Sequence, residues 1–363
     1  MKRRVPSVRL SALVLAVTLC WHMLGAPLNR QDFTDLQIPF WQARALLPQR
    51  MARVLKLWFS QPEPSEPSTM TEEAGDEVHL ARENQRVTVY LAQENRMVQM
   101  TLEGYVCGVV AAEMPAKYHL EALKAQAVAA RTRVLWQREQ GGCTMHPGAD
   151  ICTDSAHCQG YATLTECREM WQDAYEAYRD RILQAQRETR GQVLTHEGKL
   201  ITVLYHAMSG GRTEDAAAVF SQSLPYLVSV ESTGEEGAKG FWTETKISFE
   251  SMAKRLNEWM DTQVSAQDVQ RTFAISAYTP SGRVEQVQVD GVAIKAVDLR
   301  NALGLRSTWF SLSSDGTGIT FLQRGYGHGV GMSQTGANSM AASGSGYDLI
   351  LSHYYQGTKL ENW

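Results

Sequence analysis

Positive charge is not in excess in this chain: 35 Lys and Arg stand against 39 Asp and Glu, for a net charge of −4. That balance leaves no basic footprint for nucleic acid. A second long apolar run is also missing, so at most a single membrane pass is expected. No internal repeat is present, and strands and helices do not alternate regularly. A doubly wound sheet is therefore not expected, and α+β is. The glycine-dense segment 325–337 lacks the Gly-Lys-Ser/Thr of a phosphate-binding loop, and no acidic residue supports a dinucleotide site.

What is there begins at the N-terminus. Lys2, Arg3, Arg4 and Arg9 precede an apolar run over residues 10–25, the pattern of a basic flank that stays cytoplasmic. A cleaved signal and a retained anchor both remain open on length; the anchor is favoured because Pro27 spoils the cleavage site at Leu24-Gly25-Ala26. Residues 41–59 mix Leu46, Leu47, Trp58 and Phe59 with Arg44, Arg50, Arg53 and Lys56, which suits a helix on an anionic membrane or one packed on protein. Residues 61–77, rich in proline and acid, read as a tether. The expected layout is cytoplasmic stub and anchor over 1–26, juxtamembrane helix and tether over 27–77, and one large domain over 78–363, whose apolar content suffices for a real core.

Within that domain, residues 87–91 and 97–101 predict a hairpin, followed by helices over 102–112 and 119–140. A long helix is expected over 164–190, then a hairpin of strands over 192–196 and 200–205. Strands over 243–249, 272–277, 284–289 and 319–323 follow, with helices over 251–260 and 297–303 and one starting at Ser333. The whole is mixed helices and antiparallel strands.

Pro115 stops the first helix and leaves Glu113 at its C-terminus, where the unpaired carbonyls disfavour an ionised carboxylate. A Glu with a raised pKa is a candidate general acid. On the second helix Leu120, Leu123, Ala127, Val128, Ala130, Val134 and Leu135 fall within one arc of roughly 160°. Lys124 and Arg131 fall inside that arc; Glu121, Gln126, Thr132 and Arg133 fall outside. Inward cations need a carboxylate or a solvated cleft, and Glu113 is the nearest partner in sequence. The alternative is that both snorkel to the edge of the stripe.

Six cysteines are present, four of them close together at Cys143, Cys152, Cys158 and Cys167. Outside the cytoplasm disulfides are the default. Yet His146, Cys152, His157 and Cys158 lie in one loop between two helices, and two imidazoles with two thiolates suit a closed tetrahedral zinc site, with Cys143 able to replace one ligand. Zinc and disulfides both stay open on this spacing. A zinc with four protein ligands would be structural. Tyr205-His-Ala-Met-Ser-Gly-Gly-Arg-Thr-Glu214 follows a strand, and its glycines allow backbone donors to approach a ligand or serve a plain turn.

Val109-Val-Ala-Ala-Glu-Met-Pro115, Glu121-Ala-Leu-Lys-Ala-Gln-Ala-Val-Ala-Ala-Arg-Thr132, Ser209-Gly-Gly-Arg-Thr-Glu214 and Gly327-His-Gly-Val-Gly-Met-Ser-Gln334 together closely resemble the stage II sporulation protein D (SpoIID) family, in order, from about residue 87 to the C-terminus. The resemblance implies a membrane-anchored lytic transglycosylase that acts on peptide-free glycan strands during engulfment of the forespore. It would work outside the cytoplasm, at the mother-cell membrane facing the intermembrane space, alongside a peptidoglycan amidase and a membrane scaffold. It implies Glu113 as the catalytic acid/base and Lys124, Arg131, Tyr205, His206, Ser209, His328 and Gln334 as groups contacting substrate. It also implies a clostridial-type structural zinc on His146, Cys152, His157 and Cys158, leaving Cys143 a bystander. A transglycosylase needs one carboxyl group where hydrolysing glycosidases usually need two, because the substrate's own C6 hydroxyl is the nucleophile. Related amidase enhancers share the motif, so a non-catalytic glycan-binding module is the competing expectation, and a zinc hydrolase a third.

Overall fold

The structure, a computed structural model, describes residues 85–220, 222–260 and 263–363. The expected anchor over 10–25, the segment 41–59 and the tether over 61–77 lie outside these residues. Among the described residues no helix is long and apolar enough to cross a membrane.

Alternating burial along β1 (Arg86–Leu91), with Val87, Val89 and Leu91 inward, sets its antiparallel register with β2 (Arg96–Thr101). Thr101 then caps α1 (Leu102–Glu113), its side chain accepting from the Gly104 N–H. Met114 is extended, as the residue before Pro115 must be, and the helix ends there. The second helix, α2 (Leu120–Glu139), is buried nearly all round rather than along one arc. Its run of alanines from Ala122 to Ala130 keeps the helix thin enough for neighbours to close in on every side. Gln126 and Thr132, expected to face outward, are fully buried. Thr132 donates to Val128 O and accepts from Leu194 N–H, so its hydroxyl is satisfied inside.

After the short strand β3 (Ile151–Cys152), parallel to β1, the expected long helix is broken. It forms α3 (Leu164–Trp171), begun by a Thr163–Glu166 capping box, and α4 (Tyr175–Glu188). Gln172 between them has φ 44°, outside helical space, and the break lets Cys167 of α3 pack with Ala111, Ala162 and Tyr175. The strand expected over 200–205 is likewise two pieces. After β4 (Gln192–His196), β5 (Lys199–Leu200) pairs with it, whereas β6 (Tyr205–His206) changes partner to a strand far along the chain.

Next come β7 (Gly211–Arg212), α5 (Ala216–Phe220) and β8 (Glu231–Ser232). A second core, centred on Phe321, Leu256, Val287 and Leu299, is built from β9 (Trp242–Ser248), α6 (Phe249–Met260), α7 (Ala266–Thr272), β10 (Ala274–Tyr278), β11 (Val284–Val289), β12 (Val292–Lys295), α8 (Ala296–Leu303), β13 (Phe310–Ser314) and β14 (Gly318–Arg324). Its two three-stranded sheets are antiparallel, in the orders β10-β11-β12 and β13-β14-β9. The chain then returns to the first core through β15 (Met332–Ser333), α9 (Gln334–Ala342), α10 (Tyr347–Tyr354) and β16 (Lys359–Asn362). The fold is α+β, and among the described residues the strands named pair antiparallel except for β1–β3 and β6–β15.

Candidate functional site

The parallel pairing of β6 with β15 sets Tyr205 opposite Met332 and His206 opposite Ser333. Gly331 makes that approach possible: at φ 72°, a side chain there would stand 2.1 Å from Leu204 O. Gln334, the first residue of α9, is thereby delivered to the C-terminal end of α1. There its Nε2 reaches Glu113 Oε2 at 3.5 Å and Gln126 Oε1 at 3.4 Å.

Glu113 Oε1 accepts a short hydrogen bond, 2.6 Å, from the Gly160 N–H. A side chain at Gly160 would place its Cβ 2.9 Å from that oxygen, so any other residue would make the carboxylate shift. The Tyr205 hydroxyl lies close enough to favour the ionised carboxylate and accepts from Gln159 Nε2 at 2.9 Å. Burial pushes the Glu113 pKa up, and the Gly160, Gln334 and Tyr205 contacts only partly oppose it. Burial, rather than the helix end alone, is thus the leading cause of the proton affinity.

Glu113, Gln159, Tyr205 and Gln334 line a cleft of about 720 Å³ that also takes in His206, Phe220, Arg300, Tyr326 and His328. Among the described residues lining it, Glu113 is the only carboxylate.

Three residues expected at the site stand elsewhere. Lys124 is held by Glu121 at 2.6 Å and Glu188 at 2.5 Å. Arg131, fully buried, makes a two-pronged bond to Glu103, Nε to Oε1 at 2.8 Å and the terminal nitrogen to Oε2 at 2.6 Å. Both cations are paired with carboxylates other than Glu113, Arg131 in the interior and Lys124 at the partly exposed edge of the helix. Ser209 is also buried, its hydroxyl donating to Glu235 Oε1 at 2.9 Å. Glu235 accepts as well from Gly210 N–H, Ser232 and Ser333, and so ties the Ser209 loop to the residue preceding Gln334. Sequence reasoning missed this hub, because a single Glu in a loop carries no periodic signal. Glu214 is similarly enclosed, accepting from Thr279 and Ser281 at 2.6 Å each.

In the loop after α2, three thiols converge on one imidazole nitrogen. Cys143, Cys152 and Cys158 Sγ lie 3.6, 3.4 and 3.2 Å from His157 Nδ1. The four ligand atoms fall within 4.8 Å of one another, a group able to hold a metal ion. Cys143 thus takes the place expected for His146, whose ring instead stacks on Tyr90 at 3.6 Å between centroids. The loop folds back on itself here, with Cys143 N–H donating to Ala149 O. Thr144 Oγ1 contacts His157 Nε2 at 3.1 Å, the outer support that a metal-bound imidazole commonly has. Three thiolates and one imidazole suit a closed tetrahedral site without an open position.

Comparison with known proteins places this architecture. Residues 90–196 match the family profile described as stage II sporulation protein, SpoIID. Stage II sporulation protein D of Bacillus amyloliquefaciens is 34% identical over 292 residues, covering 80% of this chain and 83% of that protein. The protein of the same name from Bacillus subtilis (strain 168) is 34% identical over 274 residues, 76% of this chain and 78% of its own length. A more distant likeness, 27% over 304 residues, is to the amidase enhancer of Bacillus subtilis (strain 168), spanning 70% of this chain and 40% of that protein. With that extent of identity over most of both chains, the chain belongs to the stage II sporulation protein D family.

Proposed function

We propose that this protein is a peptidoglycan lytic transglycosylase with Glu113 as its single acid/base. The observation that carries this is the lone carboxylate of the cleft, buried and biased toward its protonated form. Hydrolysing glycosidases place two carboxyl groups about 5–9.5 Å apart across the scissile bond, and no second one lines this cleft among the described residues.

Protonated Glu113 donates to the β-1,4 oxygen between N-acetylmuramic acid and N-acetylglucosamine as the C1–O bond breaks. The carboxylate then takes the proton of the muramyl C6 hydroxyl while that oxygen bonds to C1. The products are a 1,6-anhydro end and a free C4 hydroxyl, and Glu113 regains its proton. Gly160 and Gln334 hold the carboxyl in place across both transfers. Incubating the full chain in detergent with peptide-free glycan strands, and reading the ends by mass spectrometry, tests this. Anhydro ends are expected; hydrated reducing ends, or bound but uncut strands, would support a hydrolase or the amidase-enhancer alternative respectively.

The Cys143, Cys152, His157 and Cys158 group would hold zinc as a structural ion, stabilising the loop that leads to Gly160. Cys143→Ser is expected to weaken zinc retention more than the roughly 10–100-fold that loss of an outer support costs, whereas His146→Ala leaves it unchanged. Elemental analysis after dialysis against a graded chelator reads this. An anchor over residues 10–25 would keep the enzyme on the outer face of the membrane, where it would meet glycan strands, the amidase and the scaffold of the engulfment machinery.

A further inference from the structure

The wall of the cleft that includes His206 carries chemistry that the acid/base step does not use. His206 is 4% exposed, and its Nδ1–H donates to Val330 O at 3.1 Å. Its Nε2 therefore bears a lone pair, and that atom has no partner among the described residues. Burial, with His328 and Arg283 nearby, holds the His206 pKa well below the ordinary range, so the ring stays neutral and Nε2 remains an acceptor. His328 differs in that its Nδ1 is taken, accepting from the Val330 N–H.

Beside them stands Arg300, in the last turn of α8, with Nε donating to Arg306 O at 3.3 Å. Its neighbour Arg283 has Glu214 and Glu235 close by, but no carboxylate stands by Arg300 among the described residues. Burial works against its charge, so a guanidinium here gains from an anion that arrives with a ligand. Phe220, 48% exposed, adds an apolar ring to the same wall.

We propose that Arg300, His206 and Phe220 form a subsite for an acidic amino sugar. Arg300 takes a carboxylate, His206 Nε2 accepts from a hydroxyl or amide N–H, and Phe220 covers a sugar face. This rests on the proposed glycan substrate. In such a strand the muramyl lactyl group ends in a carboxyl, which is amide-linked when a stem peptide is present and ionised when it is not. Arg300 would thus let the cleft select stripped strands over intact ones.

The test measures binding, in a Glu113→Gln background of the full chain in detergent, to two probes of the same linkage: peptide-free glycan oligomers and neutral chitooligosaccharides. The parent should prefer the carboxylate-bearing probe by at least about tenfold, the scale of one charged hydrogen bond. Arg300→Gln should erase that preference and leave chitooligosaccharide affinity unchanged, and Arg300→Lys should restore part of it. Equal losses for both probes would make Arg300 merely structural, and absence of preference in the parent would overturn the subsite outright. Should Arg300→Gln fail to fold, the parent with carboxyl-amidated glycan gives the same answer: undiminished binding overturns the proposal. If an Arg300-dependent preference persists while the unsubstituted chain makes no anhydro ends, the catalytic role of Glu113 falls and the subsite stands.

Discussion

Glu113→Gln is expected to lower the formation of anhydro ends by at least about 10³-fold, since acid and base assistance each contribute about 10²–10⁴ and one group supplies both. The fold should be untouched. Gln keeps an oxygen to accept from the Gly160 N–H, and it removes an ionisable group that burial disfavours. The melting temperature is therefore expected to hold or rise, which separates a chemical loss from a structural one. The raised pKa gives a second readout. The initial step needs protonated Glu113, so the rate should fall as pH rises through its folded pKa, placing the alkaline limb above the ordinary glutamate range. Loss of activity with normal strand binding, followed by mass spectrometry and by affinity measurement, is the expected pattern. Retained cleavage in this variant would remove Glu113 from the mechanism.

The largest stability effect should come from Arg131. Its guanidinium is fully buried against Glu103, which also accepts from Gln186 Nε2 at 2.7 Å. Burial alone would raise the Glu103 pKa, but the Arg131 bonds and charge, with Gln186 and the Gly191 N–H, bring it below the ordinary value. Arg131→Met strands a half-buried carboxylate and should cost about 3–5 kcal/mol. Replacing both partners, Arg131→Met with Glu103→Leu, should recover much of that, because neither charge is then left alone. The sign of the pH effect follows from the depressed pKa. The pair's contribution is present above the unfolded carboxylate pKa and fades as pH falls through the folded one; in Arg131→Met that acid-side loss should vanish. Denaturant unfolding across that range reads both. Substrate affinity should not change in Arg131→Met at permissive temperature, since Arg131 does not line the cleft.

Arg131 also shows how far local spacing carries. Helical periodicity was enough to mark Lys124 and Arg131 as inward cations that need partners. It had no means of choosing Glu103 and Glu188 over Glu113, because that choice depends on how α1 and α4 pack against α2. Glu113 itself was legible, as Pro115 fixes where its helix ends. The extent of its burial was not, for the loop carrying Gly160 arrives from the other side of the Cys/His segment. That segment was recognisable by composition, yet the choice of Cys143 over His146 depends on how the loop folds back on itself, which spacing does not specify. The break at Gln172 and the partner change after Leu200 are tertiary decisions, and runs of helix- or strand-forming residues conceal them.

Cys158 and Gly160 are two residues apart, so the chain between them spans at most about 7 Å. One end is a metal-group thiol and the other is the amide that grips the acid. So short a leash transmits displacement almost undiminished: a shift of the thiol by one ångström is felt at the carboxylate, where positional errors of that size are costly to catalysis. Under the proposed mechanism the cysteine cluster would act as a fixed bearing for the proton donor, and chelation, oxidation or substitution there would be read first in turnover and only later in unfolding.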